Sequence, residues 1–161
     1  MARHLSYWNA TAPASDHPAL GQDLEVDVAI VGGGIVGVTT ARMLKDRGLS
    51  VALVEANRVG EEVTGKSTAK VTSQHNLIYT TLERKFGEEG AHCYAEANEA
   101  GVRTVVELAG RHGIACNLER KPAFTYTRDQ THVSAIEEEV ELARCLGLPA
   151  SLTREDRKSV V

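Results

Sequence analysis

Proline is rare in this sequence, at 4 of 161 residues, and the 14 glycines follow no regular period. With 42% hydrophobic and 25% charged residues, the composition is that of an ordinary globular chain, which excludes collagen-like and low-complexity classes. The length suits about one domain. A basic surplus is also lacking: 18 Lys and Arg stand against 22 Asp and Glu, for a net charge of -4. Nucleic-acid binding through phosphate neutralisation is therefore not expected. No apolar run approaches the ~20 residues that cross a bilayer, so no membrane span is expected. The three cysteines, Cys93, Cys116 and Cys145, are odd in number and form no CxxC. They read as reduced thiols in the cytoplasm, and no metal site is assigned to them. Residues 1–24 lack the apolar core of a signal peptide. They read as an irregular arm, with Tyr7 and Trp8 placed to dock it onto the core.

What the sequence does contain is a strong alternation of element types. Val26 to Val31 is rich in β-branched residues and suits a strand buried on both faces. Gly32-Gly33-Gly34 breaks it, and Ile35, Val38, Ala41 and Leu44 then recur at helical spacing up to Arg47. Gly48 stands where a helix C′ residue belongs. Ser50 to Val54 reads as a second short buried strand ending at Glu55. Strand, glycine turn, helix and strand make a βαβ unit with parallel strands.

Further along, Asn57 to Asn76 is a polar segment too long for a simple connection, a length at which loops are usually functional. Leu77 to Phe86 predicts a turn or two of helix. Glu88 to Arg111 predicts a long helix with its stripe on Ala91, Tyr94, Ala95, Asn98, Val102, Val105, Leu108 and Ala109. Two short strands are expected at Ile114–Glu119 and Ala123–Thr127. A last amphipathic helix is expected from Gln130 to Leu146, with Glu137, Glu138 and Glu139 on its solvated face. His92, His112 and His132 receive no role.

The chemistry concentrates between Asp27 and Ala56. Gly32, Gly34 and Gly37 form G-x-G-x-x-G directly after a strand and at the mouth of a helix. The first glycine permits the tight turn, the second lets a pyrophosphate approach the backbone, and the third allows close helix–strand packing. Ile35 opens the helix, whose N-terminal N–H groups and positive dipole end favour phosphate. Glu55, followed by Ala56, ends the second strand. Its carboxylate can accept from ribose hydroxyls and would repel a 2′-phosphate, which disfavours NADP. A competing pattern is Gly60 to Ser67, GEEVTGKS, which satisfies the P-loop spacing G-x-x-x-x-G-K-[ST]. Here four residues separate it from the strand, the following residues are poor helix formers, and Glu61 and Glu62 would stand inside the phosphate cradle. A P-loop NTPase and a non-catalytic nucleotide-binding module are the alternatives to a dinucleotide enzyme.

The segment Asp27 to Glu55 resembles the N-terminal FAD-binding unit of the D-amino-acid oxidase-like flavoprotein oxidoreductases, the family of glycine oxidase and sarcosine oxidase. The continuation TGKSTAKVTSQHNLIY, with FGEEGAHCYAEANEA and PAFTYT later, is similar to a subgroup that often carries a C-terminal Rieske domain. The resemblance runs from about Tyr7 to Thr153. It implies an α/β fold: a Rossmann-type FAD-binding βαβ unit with a parallel sheet, leading into the start of an α+β substrate domain. It further implies that Gly32, Gly34, Ile35 and Gly37 hold the FAD pyrophosphate, with Glu55 and Ala56 at the adenosine ribose. Ser67, Thr68, Ala69 and Lys70 fall where the family's loop passes along the pyrophosphate towards the flavin. Lys70 is there either a compensating charge or an ordinary surface lysine. Gln74 and His75 either approach the flavin edge or serve as ordinary hydrogen-bonded side chains.

By the same resemblance, residues 1–24 are an arm, 25–80 the FAD-binding unit and loop, and 81–155 a helical segment entering the substrate domain. The family's chains are roughly twice as long as this one. The C-x-H and C-x-x-H pairs that would ligate a Rieske 2Fe-2S cluster do not occur here. Asp156 to Val161 resembles the translation of a sequencing adapter, so 156–161 is expected to be a non-native tail on a fragment inactive by itself. The parent is expected to be a flavin-dependent oxidoreductase acting on a small molecule, an amine or amino acid being the family's commonest class. Neither the catalytic residues nor the electron acceptor can be assigned from these residues.

Overall fold

The computed structural model describes residues 5–12 and 16–154. The expected tail at 156–161 lies outside the described residues. The chain forms two compact units that part between Lys70 and Val71.

In the first unit the strand β1 (Val28–Val31), the helix α2 (Ile35–Lys45) and the strand β2 (Val51–Val54) follow one another, preceded by a short helix α1 (Tyr7–Thr11). The two strands pair in parallel, Val28 opposite Val51 through Val31 opposite Val54. Asp27 and Ser50 clasp their starts. The Asp27 carboxylate accepts from the Ser50 backbone N–H (2.8 Å) and hydroxyl (2.6 Å), while the Ser50 hydroxyl accepts from the Asp27 N–H. These Ser50 bonds, the hydroxyl's first, hold the Asp27 carboxyl below the usual aspartate range. Gly48, at φ +86°, ends α2 as anticipated. Its N–H bonds Lys45 O and the Leu49 N–H bonds Leu44 O, the paired bonds of a Schellman stop.

Two expectations for this unit need correction. β1 is not buried on both faces: its residues alternate between half-buried and exposed, and Val31 is 87% exposed. The reason is that α2 packs on the sheet, while no second layer covers the other face among the described residues of this unit. The arm at 1–24 is not wholly irregular, because Ser6 caps α1 by accepting from the Asn9 N–H at 3.1 Å. Trp8 ties this helix to the following loop and not to the core: its indole N–H donates to Ser67 O, and the side chain stays 37% exposed. Tyr7 does not dock the helix either: it stays 68% exposed and meets only the edge of the Trp8 ring.

The second unit is built on α3 (Tyr79–Arg111) and α4 (Val133–Cys145). Gly87, at φ +74°, breaks the helical path of α3, so the two expected helices sit end to end. The stripe from Ala91 to Ala109 is the less exposed face of this helix, with Ala91 and Ala95 buried. Tyr79, Ala91, Ala95 and Leu146 form the core, flanked by Leu82, Tyr94 and Leu142. Burial pushes the Tyr79 phenol up to about 12, and its hydroxyl donates to Ser73 O at 2.6 Å.

Glu139 corrects the reading of the acidic run. It is 6% exposed, and its two oxygens accept from the N–H groups of Tyr79 (2.8 Å) and Thr80 (2.9 Å). A carboxylate from α4 thereby caps the start of α3, where free N–H groups and the helix dipole favour negative charge. The strands expected at 114–119 and 123–127 are absent. The Ile114 N–H is consumed by Ala109 O in the stop of α3, and Asn117 turns left-handed at φ +51°. No strand pairs with either segment among the described residues. Strand propensity without a partner leaves irregular chain.

Candidate functional site

The site is the turn between β1 and α2 together with the loop that folds back over it. Gly32 stands at φ +104° and continues the strand pairing through its N–H to Val54 O at 2.8 Å. Gly37 lies one helical turn on, where an added Cβ would stand 2.0 Å from Gly32 O. Only glycine lets the helix come this close to the strand end. Gly34 is the N-cap of α2 and offers no side chain to it. A Cβ on Gly34 would meet nothing nearer than Thr64 Oγ1 at 3.5 Å.

Glu55, at the end of β2, reaches across to this turn. One carboxylate oxygen accepts from the Gly33 N–H at 2.7 Å and the other from the Asn57 N–H at 2.9 Å. The Asn57 bond, followed by the Gly33 bond, holds the Glu55 carboxyl below the ordinary glutamate range. The loop then returns: the Gly60 N–H donates to Gly33 O at 2.9 Å, and the Ile35 N–H donates to the Thr64 hydroxyl at 2.9 Å. Thr64 thus caps α2 from a distance in sequence.

A cavity of about 160 Å³ opens between turn and loop, lined by Gly33, Gly34, Glu55, Arg58 and the residues from Gly60 to Thr64. Of the residues singled out from sequence, Gly34 and Glu55 line it. Gly32, Ile35 and Gly37 shape the turn and the helix start behind it. Ala56 is exposed beside Glu55, and Ser67, Thr68, Ala69 and Lys70 run exposed beyond the cavity. Among those four, the Ser67 hydroxyl accepts from the Ala69 N–H at 3.0 Å, and Ala69 is left-handed at φ +56°. Arg58, Gly60 and Thr64 were not singled out as ligands of the glycine turn. Their part comes from the loop folding back, which no spacing rule signals.

The P-loop pattern does not take P-loop geometry. Thr64–Lys66 is a single 3-10 turn, not the start of an α-helix. The Lys66 ammonium is paired with Glu62 at 2.8 Å on the surface. Gly65 is buried against Asn9, where a Cβ would stand 2.1 Å from Asn9 Oδ1. In the second unit, Gln74 donates to Thr125 Oγ1 at 3.0 Å, and His75 Nδ1 lies 3.1 Å from the Tyr94 hydroxyl. All three cysteines are exposed free thiols. No helix among the described residues is long and apolar enough to cross a membrane.

Comparison with known proteins assigns the chain to a family. The model of the DAO family, FAD dependent oxidoreductase, matches residues 27–160. A Bacillus subtilis (strain 168) protein named as a Rieske 2Fe-2S iron-sulfur protein, YhfW, is 39% identical over 150 residues, 93% of this chain and 30% of its own length. Gamma-glutamylputrescine oxidoreductase of Escherichia coli K12 is 24% identical over 143 residues, 88% of this chain and 33% of its own. An oxidoreductase of Rhizobium meliloti (strain 1021), OrdL, is 29% identical over 110 residues, 68% of this chain and 26% of its own. The chain thus spans about a third of the length of the curated relatives it matches. No solved structure matches it significantly. With the family model covering most of its length, from the first strand onward, the chain belongs to the DAO family of FAD-dependent oxidoreductases.

Proposed function

We propose that the first unit, from residue 25 to Lys70, is a Rossmann-type unit binding the ADP part of FAD, at the N-terminal end of an oxidoreductase that acts on a small molecule. The expected boundary at residue 80 moves back because Tyr79 and Thr80 open α3 in the second unit. The observation that carries this reading is the bond from the Gly33 N–H to Glu55, which joins the glycine turn to the acidic end of β2 at 2.7 Å. A carboxylate has about four acceptor positions. The Gly33 and Asn57 N–H groups take one on each oxygen. Those remaining serve the ribose hydroxyls, and Glu55 borders the cavity.

The space around the glycines suits the dinucleotide as well. Gly37 cannot carry a Cβ without striking Gly32 O, whereas the space above Gly34 is open as far as Thr64. That space lies at the N-terminus of α2, where a pyrophosphate is favoured by the helix dipole and by N–H donors. Gly32, Gly34, Ile35 and Gly37 form the phosphate side of the site in this reading, and Glu55 and Ala56 the ribose side. Ser67, Thr68, Ala69 and Lys70 lead on towards the flavin. Bound FAD supplies hydride or electron transfer. The chain's own residues bind and orient its ADP end and exclude a 2′-phosphate by the charge of Glu55.

Residues 81–155 begin the substrate domain in this reading, and the reacting groups belong to the part of the parent that extends beyond this match. An amine or amino acid is the substrate class we favour, in keeping with the relative named for gamma-glutamylputrescine. The relative named as a Rieske protein supports a 2Fe-2S cluster in the parent's C-terminal part. A cytoplasmic location accords with three free thiols. The test is the absorbance spectrum of the purified complete gene product, followed by anaerobic addition of a panel of amines. Flavin bands that bleach with an amine are expected. A folded, colourless protein that takes up no added FAD would overturn the proposal.

A further inference from the structure

α1 is too short to be stable as a helix by itself, since five residues barely complete the nucleating turn. Its order comes from what it grips. Three of its side chains, or those at its cap, hydrogen-bond to backbone carbonyls of the loop that lines the cavity. The Ser6 hydroxyl donates to Gly65 O, the Trp8 indole N–H to Ser67 O at 2.7 Å, and the Asn9 amide to Glu61 O at 3.0 Å. These carbonyls bracket Thr64, whose hydroxyl accepts from the Ile35 N–H at the start of α2. Gly65 is buried beneath Asn9 with no room for a side chain. Besides these contacts, the loop is held by the Gly60–Gly33 bond, the Ile35–Thr64 bond, a bond from the Glu61 N–H to Arg58 O, the Lys66–Glu62 ion pair and one 3-10 turn.

We propose that α1 is a clamp that sets the 61–67 loop, and through Thr64 the mouth of α2, in the shape the dinucleotide site requires, with Ser6, Trp8 and Asn9 as positioning residues. The clamp rests on the dinucleotide reading of the cavity but makes a separate demand. Residues that touch no ligand must control its affinity. Because coupling is reciprocal, a ligand that fixes the loop must also fix α1.

Trp8 is the only tryptophan of these 161 residues, and the difference between wild type and Trp8→Phe isolates its emission in a longer gene product. In the complete gene product, saturating ADP, which has no flavin absorbance to quench by energy transfer, is expected to change Trp8 emission. The combined variant Trp8→Phe and Asn9→Ala removes two hydrogen bonds of ordinary net strength and is expected to raise the FAD Kd by about tenfold. Amide exchange across residues 61–67 is expected to quicken, with the far-UV spectrum and the melting of the second unit unchanged. A variant with faster loop exchange but an FAD Kd within twofold of wild type would overturn the clamp and leave the dinucleotide reading standing. A wild-type protein that binds neither FAD nor ADP would overturn that reading, and the clamp with it.

Discussion

Replacing Gly37 by alanine would ordinarily help a helix, since alanine gains about 1 kcal/mol over glycine in a helix interior. Here the added Cβ would stand 2.0 Å from Gly32 O and 3.2 Å from Gly32 C. Comfortable carbon contacts begin near ~3.5 Å, so the helix start must retreat from the strand end by more than about 1 Å. Gly32 cannot readily yield, because its N–H is bonded to Val54 O. Overpacking against fixed atoms costs about 1–3 kcal/mol, and the backbone obstacle puts this site at the upper end. Net of the propensity gain, Gly37→Ala is expected to destabilise the first unit by about 2 kcal/mol. Urea unfolding followed by Trp8 emission reads this unit alone. Gly34→Ala is the matched control: its Cβ would make only an ordinary contact, and its stability is expected within about 0.5 kcal/mol of wild type. A Gly37→Ala protein as stable as wild type would refute the claim that close helix–strand approach fixes this glycine.

Other consequences follow from the polar contacts. Glu139→Ala strips the N–H groups of Tyr79 and Thr80 of their acceptor and should cost the second unit about 1–3 kcal/mol in chemical denaturation; no loss would mean that the cap is idle. Tyr79 has a raised pKa, so its contribution to stability is complete below the ordinary tyrosine value and is lost as pH climbs through about 12. A titration at ~295 nm, read as the difference between wild type and Tyr79→Phe, should show Tyr79 ionising late, and its ionisation near pH ~10 would contradict its burial. Glu55 has the opposite sign. Its grip on the turn is complete above the ordinary glutamate pKa and fades as pH falls through its lower native value. The amide resonances of Asn57 and Gly33 should therefore shift on acidification with a midpoint below that of an exposed glutamate; a midpoint at or above it would show that the two bonds do not form.

The sequence carried β1, α2 and β2 legibly because several local signals agree there: apolar runs of strand length, helical spacing, and glycines at each reversal. The stop at Gly48 was legible for a similar reason, since left-handed backbone strongly favours glycine. The segments at 114–119 and 123–127 read as strands because side-chain preference says nothing about whether a partner edge exists. Glu139 read as solvent-facing because three consecutive glutamates look alike in one dimension, and only the approach of α4 to the start of α3 gives one of them two backbone donors. At the site, Gly34 and Glu55 were legible from spacing. Arg58 and Thr64 were not, because their proximity to the turn is made by a loop that doubles back, and α1 grips that loop through carbonyls that every residue possesses.

The central claim is that the glycine turn, and not the P-loop-like segment, receives the adenine dinucleotide. It is tested most directly by FAD titration of the wild type beside Gly34→Val and Lys66→Ala in the complete gene product. Gly34→Val should fold yet bind no FAD, because its side chain fills the open space before Thr64 where the pyrophosphate belongs. Lys66→Ala should bind like wild type, since it loses only a surface pair with Glu62. Full FAD affinity in Gly34→Val, together with its loss in Lys66→Ala, would contradict the account.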